Sequence, residues 1–243
     1  MRYLGGKSKL SRQIVDTILS NTDRRKWVIE PFMGGGAMTE KLVDAFGLVC
    51  ASDVSQDVVL MWQAVQSGWE PPSFVSEFDY HEMRNEPPSA LRGFIGFGCS
   101  FGGKWFGGFA RGGFNTDGTP RNHPAESARA VQRIGQRFDS PYVVISQMDY
   151  RDALNDHDEP CVVYCDPPYA STQGYAGTAD FDSAEFWRTM DEWVNLGHHV
   201  FVSEYTAPDG WECIWEKSHR QSLVRGDQNR FVTTEKLFTK RVA

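Results

Sequence analysis

Apolar residues recur along the chain in two rhythms. Leu10, Ile14 and Ile18 return every four positions, which puts them on one face of a helix. Trp27-Val28-Ile29 is a short apolar run that stops at Glu30-Pro31. Met38, Leu42 and Ala45 or Phe46 restore helical spacing, and Leu48 to Ala51 forms a second apolar run closed by Ser52-Asp53. Three more runs of strand length follow, at Tyr142 to Ile145, Cys161 to Cys165 and Val200 to Val202. Between the last two, Phe186, Met190, Trp193 and Val194 share one helical face. Asp182 is placed to cap that helix, with Glu185 three residues on, and Gly197 to end it. Apolar runs alternating with helices predict a mostly parallel α/β sheet.

The middle of the chain breaks this rhythm. Residues 70–140 are rich in glycine and proline, and Gly96 to Gly113 interleaves glycine, aromatic and basic residues. The layout predicted is a core built from 1–69 and 141–243, interrupted by an insertion that contacts a ligand. A chain of 243 residues suits one domain with such an insertion, and 40% hydrophobic residues can bury a core. The net charge of -7 argues mildly against nucleic acid. Its distribution reverses that inference, because eight basic residues face three acidic ones between Arg84 and Phe138, and local basic surface is what attracts phosphates. No apolar run approaches ~18 residues, so no membrane span is expected. The first residues lack the apolar core of a signal peptide, and a cytoplasmic protein is expected. Five cysteines without a C-x-x-C pair or zinc spacing read as reduced thiols, with no metal site.

Four short motifs carry the candidate chemistry. Glu30-Pro31-Phe32-Met33-Gly34-Gly35-Gly36 lies between a strand and a helix, where glycines let backbone approach a ligand and a helix N-terminus offers free N–H groups. Asp53 closes the next strand, where an acid can accept both hydroxyls of a ribose. A glycine turn and a capping aspartate explain the same residues without a ligand. Asp166-Pro167-Pro168-Tyr169 directly follows the apolar run Cys161 to Cys165. Its prolines remove two N–H donors and leave acceptors, which suits an amino group donating two hydrogen bonds, and Tyr169 offers a face for stacking a base. Tyr3-Leu4-Gly5-Gly6-Lys7 is not a phosphate-binding loop, since the first glycine and the preceding strand are missing. Asp149-Tyr150, past the run Tyr142 to Ile145, could hold the edge and face of an adenine or be an ordinary loop.

In their order along the chain, from Gly-Gly-Lys through the glycine loop, the acid after the second strand and the long insertion to Asp-Pro-Pro-Tyr, the motifs resemble the Dam-type family of DNA adenine-N6 methyltransferases, over nearly the whole chain. The resemblance implies a Rossmann-like S-adenosylmethionine-dependent methyltransferase sheet with an inserted target-recognition subdomain. It implies S-adenosylmethionine as donor, S-adenosylhomocysteine as product, and double-stranded DNA, in a bacterial or phage-infected cell, as partner. It further implies that Tyr3, Gly6 and Lys7 help bind the cofactor and that Glu30 faces its methionine amino group. Phe32, Gly34 and Gly36 would line its pocket, Asp53 would bind the ribose, and Asp149 and Tyr150 would meet the adenine ring, beside Asp166. A flipped-out adenine would stack on Tyr169 and donate its N6 hydrogens to the Asp166 carboxylate and the Pro167 carbonyl. Within the insertion, Arg92, Lys104, Arg111 and Arg121 are candidate phosphate or guanine contacts, and Tyr175, in the Ala170 to Thr178 loop, a candidate wedge. About half of those basic residues are expected to be plain surface charges. No obligate protein partner is expected. Cytosine N4, RNA adenine and glutamine side chains present the same donor geometry. A non-catalytic DNA-binding relative and a nicotinamide dehydrogenase are the readings from other classes.

Overall fold

In the computed structural model, which describes residues 1, 3–155, 157, 159–168, 181–221 and 231–241, the alternating pattern closes into one sheet. In chain order the elements are α1 (Ser11–Asn21), β1 (Trp27–Glu30), α2 (Thr39–Leu42), β2 (Leu48–Asp53), α3 (Gln56–Gln66), α4 (Glu77–Met83) and α5 (Ala90–Gly93). They continue with α6 (His123–Gly135), β3 (Val143–Gln147), β4 (Val162–Cys165), α7 (Ser183–Asn195), β5 (His199–Glu204), β6 (Glu212–Gln221) and β7 (Phe231–Thr239). Among the described residues the sheet has seven strands in the order β3-β2-β1-β4-β5-β7-β6. Neighbours from β3 through β5 run parallel, while β7 is antiparallel to both β5 and β6. The chain order reverses between β1 and β4, and in open α/β sheets ligands bind beyond the strand C-termini at such a reversal.

Both faces of the central strands are covered, which is why they read as unbroken apolar runs rather than alternating ones. Val28, Tyr164, Phe201 and Leu237 point into one core with Ile14 and Ile18 of α1, Trp62 of α3, and Val131 and Ile134 of α6. Their strand neighbours Ile29, Val163, Cys165, Val200, Val202 and Phe238 point the other way, onto Phe186, Met190, Trp193 and Val194 of α7. The period of two in β-strands thus divides one run of residues between two cores.

Helix α7 begins and ends as its sequence directs. The Asp182 carboxylate accepts from the N–H groups of Ala184 and Glu185 at 2.8 and 3.0 Å. At the other end Gly197 takes a φ of 90°, its N–H donating to Val194 while that of His198 donates to Trp193, the paired bonds of a Schellman motif. Replacing Asp182 by alanine orphans two N–H groups and is expected to lower the melting temperature by about 2–4 °C. Calorimetric scans of the two proteins check this; identical melting curves would show that the cap is dispensable.

The structure differs from the sequence pattern in two places. The hairpin β6–β7 was not legible as strands. It sits at the sheet edge and carries opposite charges across its ladder, Glu216 facing Lys236 and Lys217 facing Glu235. Exposed edge strands favour charge, which hides the apolar signal. Within 70–140, α6 packs its Ala128, Val131 and Ile134 into the first core, and Tyr80, Phe94, Ile95, Phe97 and Phe106 belong to the same cluster. The inserted segment therefore shares the core of the sheet domain. No helix among the described residues is long and apolar enough to cross a membrane.

Candidate active site

The C-terminal ends of β1, β2, β3 and β4 open onto one basin of about 780 Å³. Each end delivers an acid: Glu30 closes β1, Asp53 closes β2, Asp149 follows β3, and Asp166 follows β4, and all four line the basin.

The glycine loop after β1 is pinned from three sides. Gly34 donates its N–H to Asp53 Oδ2 at 2.9 Å and accepts at its carbonyl from Trp62 Nε1 at 2.9 Å. A methyl group on Gly34, whose φ is +44°, would come within 2.7 Å of the Tyr3 ring. Tyr3 therefore packs directly on the loop, with its ring 4.6 Å from that of Phe97. Gly36 does not line the basin. A side chain there would meet Trp62 at 2.9 Å and Phe138 at 3.1 Å, so packing beneath the loop already accounts for that glycine.

Burial dominates the electrostatics of two of the acids. It pushes the Asp53 carboxyl up from 3.8 to about 6, against the pull of N–H groups donated by Ser55 and Gly34. It pushes Glu30 well above the usual carboxylate range, with Asp166 and Asp53 adding to the rise and the Thr39 hydroxyl, donating at 2.6 Å, opposing it. Asp149 moves the other way, because the Arg151 guanidinium pairs with it at 2.8 Å. Asp166 accepts from Lys7 Nζ at 2.8 Å, and that ammonium is 4% exposed. On the far side of the basin Phe32 and Tyr150 stack with ring centres 5.4 Å apart, and Phe181 closes on both. This combination of four acids at strand ends, an aromatic wall and a Pro-Pro pair without N–H donors after β4 suits a nucleoside and an amino group in one cavity.

Of the residues singled out in the sequence, Tyr3, Gly6, Lys7, Glu30, Phe32, Gly34, Asp53, Asp149, Tyr150, Asp166 and Pro167 meet at this basin. Tyr169 and Tyr175 lie outside the described residues. The four basic candidates separate. Arg92 turns inward: it pairs with Asp57 at 2.5 Å, lies over the Trp105 ring at 5.1 Å and lines the basin. Lys104 is exposed, Arg111 pairs with Glu77, and Arg121 pairs with Glu126. Sequence reasoning missed Asp57, Trp105, Tyr205 and Glu235, which also line the basin. Tyr205 carried one available signal, since it directly follows a strand end at Glu204. Burial, with Glu235, Glu204 and Asp166 nearby, pushes its phenol up to about 12. Among the described residues no group of three histidine, cysteine or acidic side chains is placed to hold a metal ion.

A family model described as D12 class N6 adenine-specific DNA methyltransferase matches residues 3–90 and 110–194. No curated protein matches the chain by sequence. Solved structures similar to it include an rRNA methylase from Streptococcus thermophilus, 9% identical with a TM-score of 0.40 and 94% of each chain covered. A tRNA methyltransferase from Aquifex aeolicus is 11% identical at a TM-score of 0.42, covering 96% of this chain and 69% of that one. An S-adenosylmethionine-dependent methyltransferase from Agrobacterium tumefaciens is 9% identical at 0.45, covering 96% and 60%. At such scores these likenesses bear on neither substrate nor site.

Proposed function

The chain belongs to the D12 class N6 adenine-specific DNA methyltransferase family, and from that premise we propose how its basin divides the work of methylating adenine N6 in DNA. The methyl donor of the family is S-adenosylmethionine, and S-adenosylhomocysteine is the product. When bound, the donor supplies an electrophilic methyl group on a sulfonium.

The single observation that carries the assignment of roles is the convergence of Glu30, Asp53, Asp149 and Asp166 on one basin. Asp53 accepts from the ribose hydroxyls and already fixes Gly34 through its other hydrogen bond. Glu30 faces the methionine amino group, with Thr39 orienting its carboxyl. Phe32, Tyr150 and Phe181 take the face of the adenine ring of the donor and Asp149 its edge. These residues fit the donor because each matches a buried or half-buried acceptor, or an aromatic face, to one part of it.

Asp166 and the Pro167 carbonyl accept the two hydrogens of the target amino group. The prolines offer no competing N–H, so positions 167 and 168 present carbonyl acceptors only. Those bonds draw the nitrogen lone pair out of conjugation with the ring and toward the place where a bound donor would present its methyl group. The N6–C bond would then form in line as the S–C bond broke, the sulfur electron pair would leave with S-adenosylhomocysteine, and N6 would pass its surplus proton to the Asp166 carboxylate. Tyr169 is assigned to stacking on sequence grounds. The segment between α3 and α6, with Lys104, Arg111 and Arg121 on it, faces the DNA backbone. The reading requires no metal and no protein partner. Digesting methylated DNA to nucleosides and weighing the product tests it; N6-methyladenine is expected, and N4-methylcytosine would overturn it.

Cofactor affinity should depend on pH. Ribose hydroxyls donate best to an ionised Asp53. As pH falls through about 6 the carboxyl takes up a proton, and the Kd for S-adenosylmethionine should then rise ~tenfold per further pH unit. The sign for folding is opposite. The folded carboxyl holds its proton more firmly than the unfolded one, so its contribution to stability is present at low pH and lost as pH rises from 3.8 through about 6. Titration calorimetry from about pH 5 to about pH 7.5 reads the first effect. An affinity that stays flat across that range in the wild type would remove Asp53 from the ribose site.

A further inference from the structure

Lys7 is a buried ammonium with two carboxylates beside it. Its Nζ lies 2.8 Å from Asp166 Oδ1 and 3.6 Å from Glu235 Oε2, and it also donates to the Gly5 carbonyl at 3.2 Å. The side chains of Lys7, Asp166 and Glu235 are 4%, 18% and 9% exposed. The three come from distant parts of the chain: the N-terminal segment, the loop after β4, and strand β7 of the edge hairpin. Lys217, opposite Glu235 in the ladder, turns away and donates to Gln13 Oε1 at 3.0 Å. Glu235 lies outside the two segments that the family model matches.

A lysine stem of four carbons has many rotamers, and a single ion pair does not choose among them. Two hydrogen-bond acceptors, Asp166 and the Gly5 carbonyl, together with the second carboxylate 3.6 Å away on Glu235, do choose, because burial strengthens the attraction between the charges. We propose that Glu235 is a positioning residue for methyl transfer, holding the Lys7 ammonium so that Lys7 in turn fixes the Asp166 carboxylate in place. Glu235 acts through Lys7 and does not itself touch the target amino group. The proposal rests on the assignment of Asp166 as the acceptor for that group. It makes the hairpin β6–β7 part of the active centre rather than an edge cover, because β7 lies hydrogen-bonded against β5 and carries Glu235 to the basin.

The test compares Glu235→Gln, Lys7→Met and the double variant in the full-length protein. Single-turnover methylation, KM for DNA and melting temperature are measured for each. Glu235→Gln is expected to lower the single-turnover rate about ten- to a hundredfold with KM for DNA little changed, as for a misplaced catalytic group. In the Lys7→Met background the same change is expected to cost less than about twofold, since the effect passes through Lys7. Equal losses in both backgrounds, or no loss in the single variant, overturn the proposal. If Glu235→Gln melts early, Glu235→Asp decides: it keeps the charge but shortens the reach by one methylene. A reduced rate in a normally melting aspartate variant supports the proposal, and an unchanged rate overturns it. Asp166→Ala separates the two layers. Activity retained in that variant removes the assignment of Asp166, whereas activity lost there with Glu235→Gln silent removes only the role of Glu235.

Discussion

Replacing Asp166 by alanine is expected to lower the single-turnover rate of adenine methylation by about a thousandfold or more, with the protein still folded. The size follows from what the side chain is asked to do. The amino group of adenine is conjugated with its ring and a poor nucleophile until its hydrogens are held. Asp166 is the carboxylate that adjoins the two prolines after β4, and the Pro167 carbonyl alone supplies half of the pair. The fold should tolerate the change because Asp166 is partly exposed, and Lys7 keeps Glu235 as a neighbour. Asp166→Asn keeps the shape and loses the charge. It should fall between the two, since an amide oxygen accepts more weakly than a carboxylate. Methyl transfer from labelled donor to duplex DNA, with circular dichroism as control, measures both variants. An alanine variant within about tenfold of wild type would remove the proposed mechanism.

Trp62→Ala is expected to be the most damaging of the substitutions outside the basin, costing about 3–5 kcal/mol of stability. Trp62 is fully buried on α3, packs edge-on against Phe138 at 5.1 Å and lies beneath Gly36. Its indole N–H also donates to the Gly34 carbonyl. The cavity would therefore open directly under the glycine loop and release one of its three anchors. Urea unfolding should show the loss in stability, and calorimetry a weaker affinity for S-adenosylmethionine in whatever fraction stays folded. Loss of stability with unchanged affinity would mean that Asp53 and Tyr3 suffice to hold the loop.

How far the chain could be read in advance follows from where each signal originates. β1, β2, β4 and β5 announced themselves because both their faces are buried, so no polar residue interrupts them. The ends of α7 were equally plain, since a cap is written in one or two adjacent residues. The basin acids were legible for a related reason. Glu30, Asp53 and Asp166 each stand where an apolar run stops, and strand ends are where such sheets bind ligands. Local pattern fails where the partner is remote. Nothing near Glu235 tells that a lysine 228 positions earlier will meet it. Arg92 reads as one more basic residue of the insertion, yet Asp57 and Trp105 draw it inward. Helix α6 was hidden because its apolar face is mostly small residues, with Ala128 and Ser127 beside Val131 and Ile134.

The position of β7 bears on when the enzyme becomes active during its own synthesis. The ribosome makes β6 before β7, yet β7 lies between β5 and β6 in the sheet. A nascent chain can therefore bring together the donor-binding half of the basin before β7 is made, from the ends of β1, β2 and β3 and from Phe181 ahead of α7. It cannot complete the hairpin, or bring Glu235 up to Lys7, until β7 has left the exit tunnel. On the proposed role of Glu235, the catalytic carboxylate gains that support only then, so methylation competence follows the emergence of β7. A protein truncated within the hairpin should resemble the arrested nascent chain, able to bind the donor and slow to use it.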